Sequence, residues 1–174
     1  MVASSVRLGA GELGEGEALT KPGRGIMSTR CYVGNAKTQR VVYCHFDGYD
    51  EAKLPTLSHL IVRDGAEKVV ETLLSARTGG WSYLDHQAQG EDSGMLGDRG
   101  RVVEGYGLAY TDMQVGEAEP TYIGDGLSDN DQIWIEYVYL IDPETGVITW
   151  FNTYGDSPTF HTVNPVEFLE KSNV

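Results

Sequence analysis

Two runs of alternating aromatic and β-branched residues, 134–141 and 147–154, flank the pentapeptide Asp142-Pro143-Glu144-Thr145-Gly146. Proline presets the first central position of a type I turn, and the closing glycine suits the bulge that follows it. The segment therefore reads as a β-hairpin. A lone hairpin is marginal in water, so this one must belong to a larger sheet that the rest of the chain supplies.

A second hairpin opens the patterned part of the chain. Residues 29–34 and 40–46 are rich in β-branched and aromatic types, and Asn35-Ala36-Lys37 provides a turn between them. Asp47-Gly48 closes the second strand. A helical stretch follows, with Pro55 in its first turn and Leu57, Leu60 and Ile61 spaced by three and four. Asp64 and Glu67 form a capping box for a second helix carrying Val69, Val70, Leu73 and Leu74. One bent helix would fit the same pattern.

Residues 77–100 are glycine-rich and acidic and predict a long loop. Residues 101–111 read as a strand loosened by Gly105 and Gly107, and 112–132 as a second acidic loop. Asn164, Pro165 and Glu167 supply the N-cap, first and third positions of a short terminal helix through Phe168 and Leu169. The order ββ, α(α), β, ββ, α predicts an α+β fold. Its sheet should be mostly antiparallel, of about five strands, with helices packed on one face.

Residues 1–26 differ from the rest. They hold six glycines, balanced charges and apolar residues without a period. Gly9, Gly11 and Gly14 spell G-x-G-x-x-G but lack the preceding strand that a dinucleotide-binding turn requires. The expected organisation is a disordered leader over 1–26 and a single α+β domain over 27–174. A chain of 174 residues can bury a core without a metal or disulfide staple.

The net charge of −13 argues against a basic face that grips nucleic acid. The acids are scattered through loops rather than aligned, so imitation of nucleic acid ranks last among the functions considered. No apolar run of membrane-spanning length and no secretory signal occur, so the expected location is cytoplasmic. Cys31 and Cys44 have no metal-ligand spacing and read as small, reduced core residues.

Chemistry concentrates in Tyr43-Cys44-His45-Phe46-Asp47-Gly48-Tyr49. On a strand, Tyr43, His45 and Asp47 share one face and Cys44 and Phe46 the other. A carboxylate beside an imidazole fixes its tautomer and raises its basicity, which suits a general base. Tyr43 would then assist catalysis, while Arg30 and Tyr49 would hold a ligand. The same Asp47-Gly48 also serves as an ordinary turn. Two side chains are too few for a metal, and no cofactor signature is present. Asp125, Ser128, Asp129 and Asp131 gather oxygen ligands without calcium-loop spacing, so a solvated loop is expected there.

Met27-Ser28-Thr29-Arg30 and the Tyr43–Tyr49 stretch, with Glu136-Tyr137-Val138-Tyr139-Leu140 further on, resemble a family of short uncharacterised proteins of tailed bacteriophages. Its members begin Met-Gly/Ser-Thr-Arg and carry Tyr-x-His-Trp-Asp-Gly-Tyr-Pro. Here Phe46 replaces the Trp and Asp50 the Pro, and the leader has no counterpart. The resemblance implies a phage-type accessory protein acting in the host cytoplasm. It would bind a host protein or a small ligand through the His-x-Asp-Gly-Tyr region. The alternative is a small hydrolase or transferase using His45 and Asp47.

Overall fold

The computed structural model describes residues 28–75, 80–90, 100–110, 120–155 and 157–172. The predicted leader and residues 112–119 of the second acidic loop lie outside these, and the rest of that loop contains a strand, Thr121–Tyr122, and the start of a helix, Asp129–Trp134. The elements run β1 (Cys31–Asn35), β2 (Arg40–Cys44), α1 (Asp50–Asp64), α2 (Ala66–Leu73), β3 (Trp81–Leu84), β4 (Gly100–Val103) and β5 (Gly107–Tyr110). Then come β6 (Thr121–Tyr122), α3 (Asp129–Trp134), β7 (Tyr137–Ile141), β8 (Ile148–Asn152), β9 (His161–Val163) and α4 (Pro165–Ser172).

The strands form one sheet in the order β4-β5-β3-β2-β1-β7-β8-β9, with β6 also pairing β2. The α+β class stands, but the described residues form a sheet of nine strands rather than about five. It is also mixed: β1 runs parallel to β7, and β2 parallel to β3. The second pairing follows from connectivity, because a strand leaving through α1 and α2 returns in the direction it left. The first depends on residues a hundred positions apart and has no local signature.

Both expected hairpins form. Asn35 closes the β1–β2 turn by accepting hydrogen bonds at Oδ1 from the Lys37 and Thr38 amides (2.7 and 3.1 Å). Asp142 does the same for Glu144 and Thr145 (2.8 and 3.2 Å), and Gly146 follows at φ +76°. The terminal helix is capped as expected, the Asn164 side chain accepting from Val166 and Glu167.

Other expectations are corrected. The 77–100 segment contains β3, whose Trp81 is fully buried and donates its indole N–H to the Leu73 carbonyl (3.2 Å). Residues 101–110 hold two strands rather than one, since Gly105 (φ +71°) and Gly107 (φ +139°) turn the chain between β4 and β5. Helix α1 begins five residues before Pro55. Asp50 and Glu51 favour its positive end, and the Tyr49 carbonyl accepts from the Ala52 and Lys53 amides. Two helices form, broken at Gly65 (φ +85°), but Asp64 does not cap the second. Its carboxylate binds Arg63 and the Tyr106 hydroxyl instead.

Alternation assigns the two faces. Cys31, Val33, Val42, Cys44, Tyr139 and Ile141 pack under Leu54, Leu57, Leu60 and Val69 of α1 and α2, with Phe168 of α4 against the same core. Tyr32, Val41, Val138 and Leu140 point to the other side, where Ile123 and Ile135 cover them. Helices thus cover one face as expected, but a segment containing α3 partly closes the second. Among the described residues, no helix is long and apolar enough to cross a membrane.

Candidate functional site

Residues 28–30, 43–49 and 136–140 meet at one end of the sheet. The Glu136 amide donates to the Arg30 carbonyl (2.9 Å), and the Arg30 amide to Glu136 Oε1 (3.3 Å). The Gly48 amide donates to the Thr29 carbonyl (2.8 Å), and the Tyr139 hydroxyl to the Gly48 carbonyl (2.7 Å). Gly48 permits this junction. A Cβ there would lie 2.6 Å from the Thr29 carbonyl oxygen and 3.0 Å from Cys31 Cβ.

Tyr43 and His45 project from the end of β2 toward the face opposite α1 and α2. The backbone beyond β2 keeps tracking β3, with His45 N–H donating to the Trp81 carbonyl and Phe46 N–H to that of Ser82, both 2.9 Å. The alternation therefore survives as far as His45. The Tyr43 hydroxyl and His45 Nδ1 are 2.5 Å apart. With the phenol as donor, His45 carries its proton on Nε2. Phe46 meets the imidazole edge-on at 4.4 Å between centroids.

Arg30 joins the pair from the start of β1. Burial lowers the His45 pKa, and the Arg30 charge lowers it further, so the ring is neutral at pH 7. Burial raises the Tyr43 pKa while Arg30 pulls it back. The Arg30 guanidinium also sits 5.1 Å above the Trp134 ring, which is half exposed.

Asp47 stands apart from this group. It is exposed and takes φ +54°, which ends the alternation that would have set it beside His45. Its charge acts on Lys53, whereas burial and Arg30 are what perturb His45. Tyr49 supplies the N-cap position of α1. The structure thus brings Arg30, Tyr43 and His45 together, while Asp47 turns away at φ +54° and Tyr49 holds the N-cap position of α1.

Trp134 is the member that the sequence reading missed. It looked like the start of the β7 strand, yet it ends α3. The signal was available: Ser128 accepts from the Asp131 amide (3.1 Å), a cap in the stretch expected to be a solvated loop. The remaining histidines lie elsewhere, His59 stacked on His86 and His161 on Trp150. Among the described residues, no cluster of His, Cys, Asp and Glu could hold a metal ion.

The face bearing Tyr43 also has a cleft of about 410 Å³, lined by Ile123, Leu127, Leu140, Phe151 and Phe160 with Gln39 and Gln132. Comparison with family models, curated proteins and solved structures finds no match to this chain.

Proposed function

We propose that this chain is a phage-type accessory protein that works by binding. Its recognition surface is the Arg30–Tyr43–His45–Trp134 face. The observation that carries this reading is the convergence there of all three stretches with the phage likeness. Partly exposed at that convergence stand three side chains able to donate hydrogen bonds, those of Arg30, His45 and Trp134, with the Glu136 carboxylate as a neighbouring acceptor. Such a set suits a carboxylate, sulfate or phosphate group on a small ligand or a host protein, with the indole offering a flat apolar flank.

Capture from host lysate, beside calorimetric titration with simple carboxylates, sulfates and phosphates, tests the reading. Arg30→Ala and His45→Ala should each weaken the interaction at least about tenfold, the loss of one charge-assisted hydrogen bond. Unchanged capture and unchanged heats in both variants would contradict it.

The short Tyr43–His45 hydrogen bond favours a second reading, a small hydrolase or transferase with His45 as its base, which requires the other tautomer: Nδ1–H donating to the phenol oxygen and Nε2 free to take a proton. There Tyr43 orients the imidazole in the place expected for Asp47. His45→Ala would then abolish turnover at an unchanged melting temperature.

A further inference from the structure

On the helix side of the same strand ends lies a group that the recognition face does not use. The β1–β2 register sets Cys31 directly opposite Cys44. Both are fully covered, both are free thiols, and they are the only cysteines in the chain. Lys53, from the first turn of α1, is 1% exposed, with Nζ 3.4 Å from Cys44 Sγ and 3.3 Å from the Phe46 carbonyl oxygen.

A buried ammonium needs a compensating charge. Among the described residues, no carboxylate lies within ion-pair distance of Lys53. The nearest group able to carry negative charge is the Cys44 sulfur. Cys44 is held below its ordinary value by the hydrogen bond from Cys31 and by Lys53, against the effect of burial. Burial raises Cys31, which therefore stays a thiol. Burial works against the Lys53 ammonium, and the Cys44 sulfur together with the Asp47 charge holds its pKa above the ordinary value. Cys44 Sγ thus lies 3.4 Å from the Lys53 ammonium and 3.6 Å from the Phe46 carbonyl oxygen, with the Cys31 thiol directly across the strand pair.

We propose that Cys31 and Cys44 form a peroxide-oxidisable dithiol, with Cys44 the attacking sulfur, Cys31 the resolving one and Lys53 a positioning residue. The Cys44 thiolate attacks one oxygen of hydrogen peroxide, and the O–O bond breaks. Hydroxide leaves and takes a proton from solvent, and the sulfur, oxidised by two electrons, becomes a sulfenic acid. The Cys31 sulfur then attacks the Cys44 sulfur as it gives up its proton. The S–S bond forms, the S–O bond breaks, and water leaves with that proton. Two thiols and one peroxide thus yield one disulfide and two waters.

The strands need not slip. Residues directly opposed on antiparallel strands have Cα atoms about 4.5–5.5 Å apart, within the range of about 4.4–6.8 Å that a disulfide spans.

The test treats the reduced full chain with hydrogen peroxide at several pH values, quenches by acid denaturation and alkylates the remaining thiols. Non-reducing digestion should yield a Cys31–Cys44 linked peptide, reversed by dithiothreitol. Cys31→Ser should stop at sulfenic acid on Cys44, and Cys44→Ser should not react at the same dose. The pH midpoint of the wild-type rate should lie below that of free cysteine. Lys53→Met should raise that midpoint and slow the reaction at pH 7 about tenfold. Thiols that stay fully alkylatable, a bridge from Cys44 to Lys53, or links only between chains would each overturn the proposal. A wild-type midpoint at or above that of free cysteine would also overturn it, and this readout needs no variant to fold.

Discussion

Lys53 and Cys44 are chemically unequal partners, and their inequality can be measured. Removing the sulfur leaves an ammonium buried without its counter-charge, so Cys44→Ala should cost about 3–5 kcal/mol of stability. Removing the ammonium lets Cys44 take up a proton and become an ordinary buried thiol. Lys53→Met should therefore cost less, about 1–2 kcal/mol. Urea denaturation of the two variants checks this, and equal losses would contradict the ion pair. The sequence could not have pointed to it. A lysine near a helix start reads as solvent-facing, and only the packing of α1 on β1 and β2 turns Lys53 inward. Tyr43 and His45 were legible because strand alternation reaches them. Asp47 was misplaced because a positive φ, invisible in the pattern, ends that alternation one residue too soon.

At the scale of elements, Asp64 ties the end of α1 to the β4–β5 turn. It binds Arg63 and accepts from the Tyr106 hydroxyl at 2.7 Å, while Arg63 donates to the Gly105 carbonyl at 3.0 Å. Arg63 first, then Tyr106, lowers the Asp64 pKa from 3.8 to about 2. A depressed carboxylate stabilises the fold above its unfolded value and loses that contribution as pH falls through its folded value. Asp64→Asn should therefore cost about 0.5–1 kcal/mol, constant above about pH 4, with the difference from wild type gone by about pH 2. Denaturation curves across that range would show it. Elements with local punctuation were readable: the Asn35 and Asp142 turns and the Asn164 cap all form as their residues dictate. Strand β3 was hidden because only four residues, among glycines, carry it. The parallel β1–β7 pairing was hidden because nothing nearby in sequence encodes a partner a hundred residues away.

For the whole molecule, the fold joins two chemistries through one pair of strands. β1 and β2 direct Tyr43 and His45 to one face of the sheet and Cys31 and Cys44 to the other. The net charge of −13 repels anions at long range, so recognition of an anionic group must rest on close contacts. His45 reports on that contact directly. Its pKa is below the usual 6.5 because burial, and then Arg30, disfavour the charged ring. An anion bound beside it favours the imidazolium and must raise that value. NMR titration of the His45 ring, with and without inorganic sulfate, is the deciding measurement. The account predicts a midpoint below 6.5 in the free protein that moves upward with sulfate and stays put in Arg30→Ala. A midpoint at or above the ordinary value, indifferent to sulfate, would contradict it.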